Sequence, residues 1–159
     1  MFTVSDELNK QREFVDRIRA ITSVVGKRIA VLGCGDGWLP LALIDAGASF
    51  VLGLDSDVDQ IVKARSMTFD YPNASFLSYT PETCKQLIVS FAKKDIIISM
   101  KPEWDSVAYN IALLGGGEIL QGYEDKVDVV KYVAVSPPIK LTKIGTGEVS
   151  YLQVMSQKV

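Results

Sequence analysis

The sequence predicts an α/β fold: a doubly wound, mostly parallel sheet of about seven strands that ends in an antiparallel hairpin. Three observations carry this prediction. Helical and strand-like segments alternate along the chain, the links between them are short, and most strand-like segments are continuously apolar. Right-handed crossovers between parallel strands place helices on both faces of such a sheet. The length suits one core, so residues 1–159 are predicted to form a single domain.

The first half of the chain alternates regularly between helices and strands. Ser5 is predicted to cap an N-terminal helix that ends before Gly26, has an acidic first turn and includes Leu8 on its apolar side. The elements that follow are expected at Arg28–Leu32 (strand), Leu39–Ala46 (helix), Phe50–Leu54 (strand) and Val58–Phe69 (helix). Each strand in this half is therefore followed by a helix.

The second half continues the alternation and closes it with the hairpin. Thr80 is predicted to cap a helix with Pro81 at its first position. This helix presents one apolar face formed by Cys84, Leu87, Ile88 and Phe91. The other predicted elements are the strands Ala74–Leu77, Asp95–Ser99 and Glu118–Leu120, a helix with Trp104 and Val107 on its apolar side, and the hairpin strands Val130–Val135 and Glu148–Val154.

The composition excludes several kinds of catalytic site. The chain has no histidine, which excludes Ser-His-Asp and Cys-His nucleophile systems, histidine general bases and imidazole zinc sites, and no metal is predicted. Its two cysteines, Cys34 and Cys84, lie far apart and form neither a CxxC cluster nor a disulfide framework. We therefore expect chemistry based on carboxylates, lysines, aromatic rings, backbone groups or a cofactor.

The charge distribution bears on partners and location. The formal net charge is −2 and no block of like charges is present, which disfavours nucleic acid as a partner. The N-terminal residues are too highly charged for a signal peptide, and the longest uncharged apolar stretch, Ser106–Gly117, is too short to cross a bilayer. Isolated cysteines fit a reducing compartment. These features predict a cytoplasmic protein.

A glycine-rich loop lies between the first strand and the next helix. The segment Gly33-Cys34-Gly35-Asp36-Gly37 permits a tight turn and close approach of the backbone to a ligand. Asp55 ends the second strand, where a carboxylate can accept both hydroxyls of a ribose. A nucleoside-bearing cofactor is therefore predicted. Trp38 occupies the third glycine position of the dinucleotide fingerprint, which argues against NAD or FAD.

Each of these features also has a purely structural interpretation. The glycines suit an ordinary turn between a strand and a helix, and Asp55 can cap the helix that follows. Cys34 has no basic neighbour that would lower its pKa, which favours a small loop residue over a nucleophile.

The glycine loop together with Asp55 resembles the class I, Rossmann-like S-adenosylmethionine-dependent methyltransferases. Leu114–Leu120 looks like the fifth strand of that family, and the final hairpin looks like its sixth and seventh strands. The resemblance implies that residues 1–25 cover the cofactor, S-adenosylmethionine (SAM). It also implies that Asp55 holds the ribose hydroxyls. The other positions expected at the cofactor are Gly33, Cys34, Gly35, Gly37, Ser56, Ser78 and Ser99.

The sequence is less specific about the residues that would contact the methyl acceptor. Val31 stands where the family usually has an acidic residue, and Ser99-Met100-Lys101-Pro102-Glu103-Trp104 replaces the Asn/Asp-Pro-Pro-aromatic motif of amino-directed members. Glu103 and Asp105 are the candidate general bases. Lys101 and Trp104 are the candidate substrate contacts, although Trp104 also fits the apolar face of its helix.

Three functions remain open on this sequence. The first is methyl transfer to a small molecule or a protein. The second is a binding or regulatory subunit that has lost catalysis. The third is transfer of the aminocarboxypropyl arm of the same cofactor, because Gly33-Cys34-Gly35 followed by Leu39-Pro40-Leu41 loosely resembles nicotianamine-synthase-like enzymes. The edge strands of a small sheet also allow a homodimer.

Overall fold

The computed structural model describes residues 4–87, 93–123, 132–134, 139–152 and 155–157. Its five helices in these ranges are α1 (Val4–Ile21), α2 (Trp38–Asp45), α3 (Val58–Met67), α4 (Pro81–Leu87) and α5 (Asp105–Gly115), the last preceded by a 3-10 turn at Pro102–Trp104. The strands are β1 (Arg28–Leu32), β2 (Phe50–Asp55), β3 (Ala74–Ser78), β4 (Ile96–Ser99), β5 (Glu118–Gln121), β6 (Tyr132–Ala134), β7 (Ile139–Lys143), β8 (Val149–Leu152) and β9 (Met155–Gln157).

Seven of these strands form one sheet in the order β3-β2-β1-β4-β5-β7-β8. Neighbouring strands from β3 to β7 are parallel, and β8 alone runs antiparallel, on β7. The short strands β6 and β9 pair with each other in a separate antiparallel ladder. The predicted mostly parallel sheet with a C-terminal hairpin is confirmed.

Alternate residues of the strands enter two separate cores. Ile29 and Val31 of β1 pack on one face with residues from α1, α2 and α3, including Ile18. Ala30 and Leu32 of the same strand pack on the other face with residues from α4 and α5. Since both faces are covered, the strands are apolar throughout, which is the pattern that the sequence shows. The sheet is therefore doubly wound, as predicted.

The predicted C-terminal hairpin is present, but its first strand is not the one that the sequence predicted. The structure pairs Ile139–Lys143 with Val149–Leu152 around a turn at residues 144–146. Of the expected strand Val130–Val135, the described residues 132–134 belong to β6, which pairs with β9 instead. The apolar pattern of that segment is typical of a strand, but a strand pattern does not reveal which other strand is the partner.

Smaller differences concern helix α1 and the helix after Thr80. Helix α1 already begins at Val4, so Ser5 lies within its first turn, and Leu8 is 49% exposed instead of buried. Thr80 does cap α4, because its Oγ1 accepts the Thr83 N–H at 3.1 Å. The predicted apolar positions Ile88 and Phe91 lie outside the described residues.

Candidate functional site

Five parallel strands end side by side and bring the candidate residues to one edge of the sheet. The register pairs Leu32 of β1 with Leu54 of β2 and with Ser99 of β4. Asp55 pairs with Ser78 of β3, and Ser99 pairs with Gln121 of β5. Ligands of doubly wound sheets bind at this carboxyl edge, beyond the strand ends.

The glycine loop is anchored directly on the end of β2. The N–H groups of Gly33 and Cys34 both donate to the Leu54 carbonyl, at 2.7 and 3.0 Å. Gly33, Gly35 and Gly37 all have positive φ, at 78°, 57° and 90°. Residues with a Cβ rarely adopt that conformation, so this tight turn depends on glycine.

Asp55 connects the glycine loop to the start of α3. Its carboxylate accepts the Gly35 N–H at Oδ2 (2.8 Å) and the Asp57 N–H at Oδ1 (2.9 Å). The residue is only 1% exposed. Asp57 itself caps α3, so the structural alternative in which Asp55 is the helix cap does not apply. Its position beside the loop is the one that the sequence predicted, and a ribose contact remains a prediction.

Lys101 lies across the glycine loop and pairs with Asp55. Its Nζ is 3.7 Å from Asp55 Oδ2, and its side chain is 49% exposed. A Cβ added at Gly33 would lie 3.4 Å from Lys101 Cγ and Cδ. We define Gly33–Gly37, Asp55 and Lys101 together as the glycine-loop site. The sequence predicted Lys101 as a substrate contact, whereas in this structure it contacts the carboxylate predicted to bind cofactor.

The glycines of the loop differ in what surrounds them. A Cβ added at Gly35 would meet no atom within 4 Å, so the space beside it is open. A Cβ at Gly37 would lie 2.9 Å from Ala64 Cβ and 3.2 Å from the Phe76 ring. Gly37 therefore serves close packing of α2 on α3 and β3, while Gly35 faces the space that a ligand can enter.

Cys34 is a buried, unreactive thiol. Burial raises its pKa to about 12, and the negative charge of Asp55 acts in the same direction. Its Sγ contacts the Gly35 carbonyl at 3.7 Å, and a Cβ added at Gly53 of β2 would lie 2.9 Å from it. The thiol thus packs on β2, which agrees with a small loop residue and not with a nucleophile.

A second polar centre, at the ends of β4 and β5, is built around Asp105. Ser99 Oγ donates to Asp105 Oδ1 at 2.8 Å, and the Tyr123 hydroxyl donates to Asp105 Oδ2. Gln121 Nε2 lies 3.4 Å from the same Oδ2 and 2.9 Å from the Tyr123 hydroxyl. We call Ser99, Asp105, Gln121 and Tyr123 the Asp105 network. Ser99, which the sequence predicted at the cofactor, directs its hydroxyl into this network.

Burial governs the titration of this network. Desolvation raises the pKa of Asp105, although the hydrogen bonds from Tyr123, Ser99 and Gln121 oppose that shift. Burial, reinforced by the Asp105 charge, also raises the pKa of Tyr109 to about 12. Among the described residues, the Tyr109 hydroxyl and Gln121 Oε1 are buried without a hydrogen-bond partner. The network therefore holds a proton more readily than an exposed carboxyl does.

The other predicted residues occupy different surroundings. Ser56 is exposed beyond β2, and Ser78 is half-buried at the end of β3. Glu103 is exposed on the 3-10 turn, so the structure does not bring the two candidate bases, Glu103 and Asp105, into one environment. Trp104 is fully buried, and a Cβ added at Gly33 would lie 3.2 Å from its Cδ1. This corrects the expected substrate contact: the indole supports the loop from the core.

Sequence reasoning missed Gln121 and Tyr123. Their signal was available but weak: Gln121 is a polar residue at the end of a buried strand, and it is itself fully buried. Such a residue needs a buried polar partner. The sequence does not identify that partner, because Asp105 lies 16 positions earlier, at the start of the helix that precedes β5.

Metal-binding clusters and membrane-spanning helices are absent from the described residues. Within the described ranges, no group of three or more Cys, Asp or Glu side chains is arranged to hold a metal ion. Of the helices in the same ranges, none has the length and apolar character needed to cross a membrane.

Methyltransferases are among the solved structures that share this architecture. An S-adenosylmethionine-dependent methyltransferase from Mesorhizobium loti matches 90% of this chain and 64% of its own, at 20% identity and a TM-score of 0.54. Magnesium protoporphyrin IX methyltransferase from Synechocystis PCC 6803, solved with bound SAM, matches 79% of this chain and 65% of its own, at 19% identity and a TM-score of 0.58.

A third methyltransferase structure shares the fold, whereas comparison of the sequence alone finds no match. A SAM-dependent methyltransferase from Thiobacillus denitrificans, in complex with S-adenosyl-L-homocysteine, matches 70% of this chain at 16% identity and a TM-score of 0.56. This chain covers 48% of that protein, so it spans between about half and two thirds of the three structures. No protein-family model and no curated protein sequence matches the chain. The chain has the Rossmann-like fold of class I S-adenosylmethionine-dependent methyltransferases.

Proposed function

We propose that this chain binds S-adenosylmethionine at the glycine-loop site and transfers its methyl group to a small-molecule or protein acceptor. The observation that carries the proposal is the bond from the Gly35 N–H to Asp55 Oδ2, at 2.8 Å. It joins the glycine loop and the acidic strand end into one rigid unit at the carboxyl edge. The methyltransferase fold supports the same cofactor.

The residues present suit this cofactor. The open space beside Gly35 admits a ligand close to the backbone. Asp55 uses two of its acceptor positions for backbone N–H groups, and a carboxylate has about four, so it retains capacity for ribose hydroxyls. Bound SAM supplies a methyl group that its sulfonium already activates, so the protein needs to position the acceptor and exclude water more than to activate a nucleophile.

The candidate base in this proposal is Asp105. Its raised pKa makes it a better proton acceptor than an ordinary carboxylate. Its network lies beside the glycine-loop site, since Ser99 Oγ is 3.1 Å from the Lys101 carbonyl. Both carboxylate oxygens already accept hydrogen bonds, from Ser99 and from Tyr123. A role in catalysis therefore requires one of these bonds to open.

Calorimetric titration with SAM, S-adenosylhomocysteine and NAD tests cofactor binding. Gly35→Ala is the informative variant, because the added methyl enters the open space that the ligand needs. Gly26→Ala is its matched control: Gly26 also has positive φ, a Cβ there also meets no atom within 4 Å, and it precedes β1 at the opposite edge. Both variants carry a similar backbone strain of about 1–2 kcal/mol.

We expect wild type and Gly26→Ala to bind SAM and S-adenosylhomocysteine but not NAD, and Gly35→Ala to lose at least about tenfold in affinity. Equal losses in the two variants, or no binding of either compound by wild type, would contradict the proposal. Label from methyl-labelled SAM recovered in an acceptor from cell extract supports methyl transfer. Release of methylthioadenosine indicates aminocarboxypropyl transfer instead.

A second candidate function is a binding subunit without catalysis. The contact that favours it is the Lys101–Asp55 pair, which gives the carboxylate proposed for the cofactor a partner from within the chain. Gly33 is covered by the same side chain. Binding of SAM without turnover in any extract would favour this function.

A further inference from the structure

A cavity of about 430 Å³ lies beside the Asp105 network, on the α1 side of the carboxyl edge. Its lining comes from α1, from the segment that follows β5 and from the hairpin, and includes Phe14, Arg17, Tyr123, Lys143 and Thr146. The size lies within the usual range for small-molecule sites. Tyr123 connects the cavity to the Asp105 network, because its hydroxyl donates to Asp105.

The apolar wall of the cavity is formed where α1 meets the end of β5. A Cβ added at Gly122 would lie 3.0 Å from Phe14 Cζ and 2.6 Å from Met100 Sδ. Phe14 also makes an edge-to-face contact with Trp38, with ring centroids 5.8 Å apart. The Phe14 ring is thus held in place, and together with Tyr123 it gives the cavity an aromatic lining.

The polar wall of the cavity is positively charged. In the described part of the chain, Arg17 contacts the Gly145 carbonyl at 3.4 Å through Nη1 and has no carboxylate in ion-pair contact. Lys143 pairs with Glu148 at 3.7 Å, but Glu148 is 67% exposed, so that pair contributes little. A planar guanidinium with unused N–H donors suits a carboxylate, which it can bind through two parallel hydrogen bonds.

A second cavity of about 450 Å³ adjoins the first and shares Arg17, Gly145 and Thr146 with it. Thr142 lines this second cavity, is 1% exposed, and its Oγ1 has no hydrogen-bond partner within the described ranges. A buried hydroxyl without a partner is costly and fits a ligand that completes its hydrogen bonding. Arg17 therefore stands between two spaces that both offer polar groups to a ligand.

We propose that the cavity around Arg17 binds a small aromatic carboxylate, with the carboxylate on the Arg17 guanidinium and the ring between Phe14 and Tyr123. The assignment of this cavity to the methyl acceptor rests on the proposed function. The binding itself depends only on Arg17, Lys143 and the two rings. An anion is favoured over a cation because both charged side chains of the lining are positive.

Benzoate is the probe, and benzamide is its uncharged counterpart of the same shape. Each compound is titrated into the full chain at constant ionic strength, without SAM, and binding is followed by NMR. Arg17→Gln removes the guanidinium. Arg19→Gln is the matched control, because Arg19 belongs to the same last turns of α1 but lines a different cavity beside α2. We expect saturable benzoate binding that weakens at least about tenfold in Arg17→Gln and for benzamide, and stays unchanged in Arg19→Gln.

Equal affinity for benzoate and benzamide, equal loss in the two arginine variants, or no saturation by benzoate would overturn the proposal. The proposal is also overturned if benzoate changes chemical shifts only at residues outside α1, Gly122, Tyr123 and the hairpin. The titration contains no SAM, so failure of the proposed cofactor function leaves its outcome unaffected. If the chain binds SAM but not benzoate, the proposed carboxylate site is refuted and the proposed cofactor function stands.

Discussion

The glycine-loop site and the Asp105 network lie at the same edge of the sheet, yet each holds its carboxylate differently. Asp55 is bound by two backbone N–H groups and a lysine ammonium. Asp105 is bound by two hydroxyls and a side-chain amide. Backbone donors are fixed by the fold, whereas hydroxyls and amides can rotate.

This difference separates a rigid centre from an adaptable one. In the glycine-loop site, the two backbone partners of Asp55 cannot turn away from it without breaking the loop or the start of α3. In the Asp105 network, burial raises the pKa of the carboxyl, and the neighbouring groups can donate or accept as the proton comes and goes. We infer that the first centre is built to hold a ligand in place and the second to change its protonation.

The largest expected effect compares Asp55→Asn with Asp105→Asn. The amide that Asp55→Asn introduces has one acceptor oxygen for the two fixed N–H groups of Gly35 and Asp57, so one of them is left facing an NH2 group. We expect the free energy of unfolding to fall by about 1–3 kcal/mol. At position 105 the amide can be accommodated, because Gln121 can turn its unpartnered Oε1 toward it, and a change within about 0.5 kcal/mol is expected.

Urea denaturation of both variants at pH 7 measures this difference. Proper folding of each is checked by the slope of the transition, which reflects the surface exposed on unfolding. If Asp105→Asn destabilises the chain as much as Asp55→Asn does, the Asp105 network is as rigid as the glycine-loop site and the contrast between them is lost.

The next effect concerns Lys101 as a competitor for Asp55. Lys101→Met removes the ammonium while keeping an unbranched apolar chain over Gly33. We expect SAM to bind about two- to fivefold more tightly, because a half-exposed ion pair no longer has to be broken. Lys140→Met is the control, since Lys140 is similarly exposed and pairs with Glu118 at 3.6 Å on another strand.

Calorimetry on the two lysine variants decides the role of Lys101. Weaker SAM binding in Lys101→Met, with Lys140→Met unchanged, would mean that Lys101 contacts the ligand instead of competing with it. The alternative of a substrate contact, which the sequence suggested, would then regain support.

A smaller effect is the pH dependence of stability that Asp105 confers. Because its folded pKa is raised above 3.8, the folded state binds the proton more tightly than the unfolded state does. The contribution to stability is therefore greatest below pH 3.8 and is lost as the pH rises through the folded pKa. We expect Asp105→Asn to gain stability relative to wild type as the pH rises from 3.8 through the folded pKa of Asp105. Urea denaturation at each pH measures this difference. A constant difference would contradict the raised pKa.

The two centres differ in how well the sequence predicted them, because their residues come from different numbers of chain segments. The glycine-loop site consists mainly of consecutive residues and one strand end, and positive φ demands glycine there, so local patterns identify it. The Asp105 network draws on β4, α5, the end of β5 and the segment after it, and ordinary Gln and Tyr residues carry no local signature. The hairpin prediction failed in its first strand for the same reason, because the pairing of Ile139–Lys143 with Val149–Leu152 is decided by tertiary contacts and not by apolar periodicity.

The smallest expected effect uses the two cysteines as reporters of the two faces of the sheet. Burial raises the pKa of Cys34 to about 12 and that of Cys84 to about 11, so at about pH 8 both react slowly with a thiol reagent. Labelling then occurs only when the chain opens locally. Cys34 lies in the glycine loop, whereas Cys84 lies in α4 and belongs to the other core.

We expect SAM to slow the labelling of Cys34 severalfold and to leave that of Cys84 unchanged, because a ligand on the loop stabilises only the opening that exposes Cys34. Cys84→Ser and Cys34→Ser allow each thiol to be followed alone by absorbance of the released reagent. Equal protection of both thiols would mean that SAM stabilises the whole fold, and the glycine-loop site would no longer be distinguished as the place where it binds.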